Sequence, residues 1–324
     1  MDVNSIGGVV DQEHRRGGLR LGLRVLGGFV LLYAAVWVTT LILGVGPNAL
    51  MRQLGVPDSQ RILIGSTISR SGTLAATLFF SVVALRRVAG LSPGELLFPL
   101  RSGWRRDLFI GLALAGGAMA LLFAVERAAG WLTVTDWQWR REPFGAWLSS
   151  VWLALLSNLL AAVGEEAMFR GYLLPGLSRA WGRSAALAAT ALLFAVPHLL
   201  VSGAAETHWA LFTAALALPG LMLGWTALRS GDLWLPVGIH FAWNLFQGDL
   251  LNLTGSPAGG TLFGAVTEQA GPAWFVGTRY GIEVGASGVL ALSLVLGGVV
   301  WWTACRERRL WEDPAEGNCR AVGR

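Results

Sequence analysis

Eight long apolar runs dominate this chain, and they leave it few ways to fold. A helix needs about 20 mostly apolar residues to cross the ~30 Å hydrocarbon core of a bilayer. The runs cover roughly Val25–Val45, Ile62–Leu85, Leu108–Trp131, Trp152–Leu174, Ser184–Ala204, Ala210–Leu228, Leu233–Leu251 and Val284–Ala304. Their apolar residues come in blocks rather than in alternation. The chain is 54% hydrophobic and 14% charged, where soluble domains carry about 25% charge. This composition excludes a disordered chain, a secreted disulfide scaffold and a nucleic-acid binder. The expected fold class is therefore all-α, a polytopic membrane protein built as a bundle of about eight transmembrane helices.

The 25 basic residues are all arginine, a composition bias to which we attach no function. Their distribution is informative, because positive charge accumulates in cytoplasmic loops. With the N-terminus inside, 18 arginines fall on the cytoplasmic side and six on the other, with Arg70 left inside a span. Both ends are then cytoplasmic, in a cell (plasma) membrane. The first run follows Arg15, Arg16, Arg20 and Arg24, but it is too long for a signal peptide and no small-residue cleavage site follows it. The two cysteines, Cys305 and Cys319, have no metal-ligand spacing to histidine and read as reduced thiols.

This organisation divides the chain into a tail (1–24), N-terminal spans (25–145), a core (146–251) that carries the polar motifs, an extracytoplasmic loop (252–283), a last span (284–304) and a second tail (305–324). The loop is rich in glycine and proline, with room for a short interfacial helix around Pro272–Phe275. No internal repeat of fixed period is visible, so an inverted-repeat transporter gains no support.

Charged and imidazole groups inside a span cost several kcal/mol, which makes each a candidate for function. Glu165 and Glu166 are adjacent carboxylates in an apolar run. Glu166 precedes Arg170 by four residues, the favourable order for an ion pair on a helix. Glu165 points about 100° away and has no such partner, so it is free to face a cavity. The plainer alternative is that both acids mark the cytoplasmic end of a helix. Phe194 and His198 share a face beside Pro197, although a lone histidine in a span is often a packing residue. His240 and Asn244 also lie four apart on one face, a pairing that can simply glue helices together.

Depth links these pairs. If the fourth span starts near Trp152, Glu165 reaches mid-membrane beside His198, and Gly145–Ser150 lies at the outer interface. Arg70 sits among Ser66, Thr67, Ser69, Ser71 and Thr73 on the most polar span, which should face the bundle interior. It can neutralise Glu126 or hold a substrate carboxylate, and of the two, structural pairing is the first expectation.

A glutamate, two histidines and an asparagine in a lipid-shielded cavity suit amide hydrolysis. Glu165 can take a proton from water as general base, and His198 can orient that water. His240 and Asn244 can donate to the oxyanion, each donor typically worth about 3–4 kcal/mol. The same residues can alternatively hold a metal through imidazole and carboxylate. The H-E-x-x-H zinc helix and the G-x-G-D aspartyl signature are missing. Gly285–Gly288 has the look of a serine site, but no histidine follows it.

The ordered trio Glu165, Glu166 and Arg170, then Phe194 and His198, then His240 and Asn244 resembles the CAAX-protease and bacteriocin-processing (CPBP) family of intramembrane proteases, related to CAAX prenyl protease 2. The resemblance implies an eight-helix bundle whose cavity opens to the cytoplasmic side or laterally to lipid. It implies Glu165 as water activator with His198, and His240 with Asn244 as oxyanion donors. It implies either no cofactor or a single divalent metal such as zinc, held if present by Glu165, His198 and His240. The substrate implied is a lipidated (prenylated CAAX-type) or bacteriocin-like hydrophobic peptide, with membrane lipid the other partner. Two other readings stay open: a catalytically silent membrane protein of this fold that binds a partner or lipid, and a proton-coupled transporter. The first three spans and the last lie outside the motifs and carry no expectation about substrate.

Overall fold

The computed structural model describes residues 3–202, 209–253, 264–277, 282 and 285–312. Within them the chain is overwhelmingly helical, and all eight apolar runs fall on helices. The helices are α1 (Val3–Gln53), α2 (Asp58–Ala84), α3 (Pro93–Leu96), α4 (Trp104–Ala128), α5 (Gln138–Arg141) and α6 (Phe144–Leu159). They continue as α7 (Leu174–Trp181), α8 (Arg183–Ser202), α9 (Trp209–Ser230), α10 (Trp234–Asn244), α11 (Ala273–Val276) and α12 (Ala286–Glu312). Five stretches are long and apolar enough to cross a membrane: Gly17–Gln53, Gln60–Ala89, Trp104–Ala128, Phe144–Trp181 and Ala286–Arg306. The other three expected spans coincide with α8, α9 and α10. This is an all-α polytopic membrane fold.

Several details differ from expectation. The N-terminal segment read as a solvated end is helical from Val3 onward. The fourth span belongs to one 38-residue helical rod, Phe144–Trp181, nearly twice what a bilayer needs. The expected outer loop around Glu206 and His208 lies outside the described residues. The loop after α10 holds more than a short helix. Its strand β2 (Ala265–Gln269) pairs antiparallel with β1 (Leu132–Trp137), with Leu132 opposite Gln269 and a bulge between Val134 and Asp136. The helix expected around Pro272–Phe275 is the single turn α11.

Helix direction can be read from side-chain contacts between α2 and the α6 rod. Trp152 Nε1 donates to Thr67 Oγ1 at 3.0 Å, and Arg70 Nε donates to Ser157 Oγ at 2.6 Å. Further along, a Cβ placed on Gly164 would lie 3.4 Å from Thr77 Cγ2. Residue numbers rise together on both helices, so the two run parallel. A chain crossing the membrane back and forth requires this of its second and fourth spans.

The core divides at α10. Leu233 and Val237 pack into one cluster with Phe29, Phe169, Tyr172 and Leu177. Leu235, Ile239 and Trp243 pack into a second with Met119, Leu122, Val295 and Val299. What fixes α10 is a backbone-to-backbone crossing with α4. A Cβ on Gly111 would come within 2.9 Å of Ile239 N, and one on Gly238 within 3.2 Å of Gly111 Cα. Small residues that let helix backbones approach are the usual means of close packing in lipid. At one end of this crossing Asp107 is buried, receiving Arg101, Arg306 Nη1 at 3.0 Å and Trp302 Nε1 at 2.9 Å. Arg101 also contacts Asp232, so the cluster ties α4, α12 and the α9–α10 turn together.

Candidate active site

The α6 rod is not a uniform α-helix. Leu160–Glu165 and Ala167–Leu173 are widened π turns, with Glu166 between them. Such turns insert an extra residue per turn and occur disproportionately at functional sites. Here they bracket the two adjacent carboxylates, which face different surroundings.

Glu166 is fully buried and held on two sides. Arg170 Nη1 donates to its Oε1 at 2.9 Å, as the four-residue spacing predicts. His240 Nδ1 lies 2.9 Å from the same oxygen. Arg170 is itself fixed by a 2.9 Å bond from Nη2 to the Gly220 carbonyl on α9, and its guanidinium stacks 4.5 Å over the Phe194 ring. A buried ion pair holds its place only if the remaining donors find partners, and the Gly220 carbonyl supplies one.

Glu165 faces elsewhere. It lines a cavity of about 250 Å³ together with His198. Its Oε2 is buried and accepts no hydrogen bond among the described residues. The cavity walls come from four places: Tyr33, Val36, Trp37 and Thr40 on α1; Thr73 and Thr77 on α2; Leu160, Gly164, Glu165 and Phe169 among others on the rod; and Pro197 with His198 on α8. Most of that lining is apolar. Trp37 is also 57% exposed, so the cavity opens at that edge of the bundle.

Hydrogen bonds fix the histidine tautomers. His198 Nδ1 lies 2.9 Å from the Phe194 carbonyl. A carbonyl only accepts, so Nδ1 carries the proton and Nε2 of the neutral ring keeps a lone pair. His240 Nδ1 likewise donates to the Glu166 carboxylate, leaving Nε2 for whatever meets it. Phe194 stands between the two imidazoles, its ring centroid 4.9 Å from His198 and 6.1 Å from His240. The aromatic residue of the second motif is thus a spacer against which both histidines pack. Asn244 lies on the turn after His240, where α10 passes into another π segment, Leu245–Leu250.

The structure brings Glu165 and His198 to one cavity and His240 to Glu166 beside Phe194, with one correction. His240, expected as an oxyanion donor or, if a metal is present, a ligand, also holds Glu166 through its Nδ1. Glu166 in turn holds a histidine 74 residues away as well as Arg170. Arg70 does not neutralise Glu126. It bonds Ser157, while Glu126 accepts from Gln269 Nε2 of β2 at 3.2 Å. The metal alternative also meets a mismatch. Among the described residues no three His, Cys, Asp or Glu side chains are placed to hold an ion. No step is routed through a metal here.

Sequence reasoning missed the cavity walls on α1 and α2, which lie outside the motifs. A signal existed in the polar face of α2, where Thr73 and Thr77 are four apart. Thr73 Oγ1 bonds Thr40 Oγ1 at 3.0 Å, joining the two helices at the cavity.

Residues 147–246 match a protein-family model described as Type II CAAX prenyl endopeptidase Rce1-like. The matched segment contains every motif residue, from Glu165 to Asn244. No curated protein and no solved structure matches the chain.

Proposed function

Starting from a chain that carries a type II CAAX prenyl endopeptidase-like domain over residues 147–246, we propose that it is an intramembrane endopeptidase. It hydrolyses a peptide bond in a membrane-associated, prenylated peptide, using water activated by Glu165. The observation that carries this reading is the shared cavity: an acid with an unpartnered buried oxygen and an imidazole with a free Nε2 line one apolar, laterally open space.

The chemistry follows from those groups. Water enters beside Glu165 and gives its proton to the carboxylate, with His198 Nε2 accepting a hydrogen bond that orients the oxygen. The water oxygen attacks the scissile carbonyl and the tetrahedral intermediate carries the charge on its oxyanion. In its doubly protonated form His240 donates from both nitrogens, Nδ1 to Glu166 and Nε2 to that oxyanion, and the Asn244 amide is a second donor. When the C–N bond breaks, the proton held by Glu165 passes to the leaving amine, and Glu165 returns to its carboxylate form. Arg170 and Glu166 keep His240 in place throughout. The apolar walls on α1 suit a lipid chain attached to the peptide. The arginine distribution supports a plasma-membrane protein with both ends in the cytoplasm.

The test uses purified protein in detergent with a panel of fluorogenic lipidated peptides, beside Glu165→Ala and His198→Ala. Cleavage by the wild type and loss of it in both variants is expected. Cleavage that survives both substitutions would overturn the assignment.

A further inference from the structure

One charged group inside a span has no part in the chemistry above. Arg70 lies in the middle of α2, and among the described residues it has no acidic partner. Its one hydrogen bond runs from Nε to Ser157 Oγ, and that hydroxyl is itself tied to the Leu153 carbonyl at 2.7 Å. A guanidinium has five N–H donors in a planar fork. Holding it through Nε alone leaves the other four N–H groups, on Nη1 and Nη2, without a hydrogen-bond partner among the described residues. Glu126, the acid expected to neutralise it, is bonded to Gln269 instead. An arginine at this depth is costly unless something anionic uses it.

Position says what that anion is. Arg70, Thr73 and Thr77 follow the i, i+3, i+7 spacing of one helix face, and Thr73 and Thr77 line the cavity with Glu165. The parallel helices α2 and α6 touch at Arg70–Ser157 and again at Thr77–Gly164. Both contacts lie seven residues apart on each helix, about 10 Å at 1.5 Å per residue. Gly164 adjoins Glu165, so Arg70 stands about 10 Å along the bundle from the level of the reacting carbonyl. Three residues of extended chain span at most about 10–11 Å. In a C-a-a-X end the prenylated cysteine is followed by three residues, and an endopeptidase cutting beside that cysteine leaves all three on the departing side.

We propose that Arg70, positioned by Ser157, binds the free C-terminal carboxylate of the substrate and so sets the cut three residues from the chain end. This rests on the endopeptidase reading above. The guanidinium fork suits a carboxylate, which it can meet with two parallel hydrogen bonds. Arg70 is then a specificity determinant acting as a ruler, not a participant at the scissile bond.

The test pairs two farnesylated fluorogenic peptides with three aliphatic residues after the cysteine, one ending in a free acid and one in an amide. Wild-type full-length protein should cleave the acid at least tenfold better in kcat/KM, mostly through KM. Arg70→Gln should bring the acid-to-amide ratio close to one, and Arg70→Lys should restore part of it. Peptides extended by two residues should lose the preference in the wild type. An equal loss on acid and amide in Arg70→Gln, or a wild type indifferent to the end group, would overturn the proposal. If the wild type cleaves neither peptide, the endopeptidase reading fails by itself. Equilibrium binding of the two labelled peptides to wild type and Arg70→Gln then decides Arg70 separately, since only the acid should depend on it. If Arg70→Gln does not fold, the wild-type end-group preference and Arg70→Lys still decide.

Discussion

Glu165 and Glu166 are neighbours in sequence and opposites in structure. Glu166 sits in a closed knot, gripped by Arg170 and His240 and walled off by Phe194. Glu165 borders an open, largely apolar cavity and accepts no hydrogen bond among the described residues, whereas Glu166 accepts two on Oε1 and leaves only its own buried Oε2 without a partner. One acid is held so that it cannot move, and the other is kept ready for a small molecule that the protein does not supply. The lesson is that burial alone does not distinguish a structural acid from a reactive one. The distinguishing feature is how many protein donors the carboxylate has already accepted.

That contrast can be broken at several points. The largest effect should come from Glu166→Ala. Removing one partner of a buried pair costs about 3–5 kcal/mol, and here it strands Arg170 and releases His240. Thermal unfolding in detergent should show a large drop in midpoint, and turnover should fall with it. Asn244→Ala should do the reverse, leaving the midpoint near wild type while lowering kcat about 10²-fold, the usual effect of losing one oxyanion donor. Gly238→Ala tests the scaffold. Its new methyl would run into the Leu108 carbonyl and lie 3.1 Å from Leu112 N. Overpacking of this kind costs about 1–3 kcal/mol, and the shift of α10 should lower activity through His240.

The smallest effect belongs to the surface pair Arg141–Asp136, at 2.7 Å between the end of α5 and β1. The hydrogen bond from Arg141 holds the Asp136 carboxyl below its usual range. A lowered acid contributes stability above its unfolded pKa and loses it as pH falls through the folded value. In solvent that contribution is screened, so Arg141→Ala should leave the unfolding midpoint unchanged at neutral pH.

How much of this was legible beforehand follows the distance over which each contact acts. Glu166 with Arg170, and His198 with the Phe194 carbonyl, are one-turn relations on a helix, so spacing alone announces them. The all-α membrane class was equally plain, because lipid leaves an apolar run of 20 residues little else to be. The bond from His240 to Glu166 was not legible. It depends on α10 being pinned to α4 at Gly111 and Gly238, and nothing local encodes that crossing. The same holds for β1 and β2, whose partners are more than a hundred residues apart. The two π turns around Glu166 were also invisible, since the run from Leu160 to Leu173 carries no proline to mark them. Arg70 was noticed for its cost, and of the two partners offered to it Glu126 was the wrong one, because depth along two parallel helices cannot be read from one of them.

The account is tested most directly by comparing Glu165→Gln with Glu166→Gln, measuring turnover of a farnesylated peptide and the thermal midpoint on the same preparations. The amide keeps the shape of each side chain and removes its charge. The account predicts that Glu165→Gln lowers turnover by about 10³-fold, within the range for a lost general base, at a midpoint close to wild type, whereas Glu166→Gln lowers the midpoint markedly. Near-normal turnover in Glu165→Gln, or equal destabilisation by the two substitutions, would contradict the division of roles between these neighbouring acids.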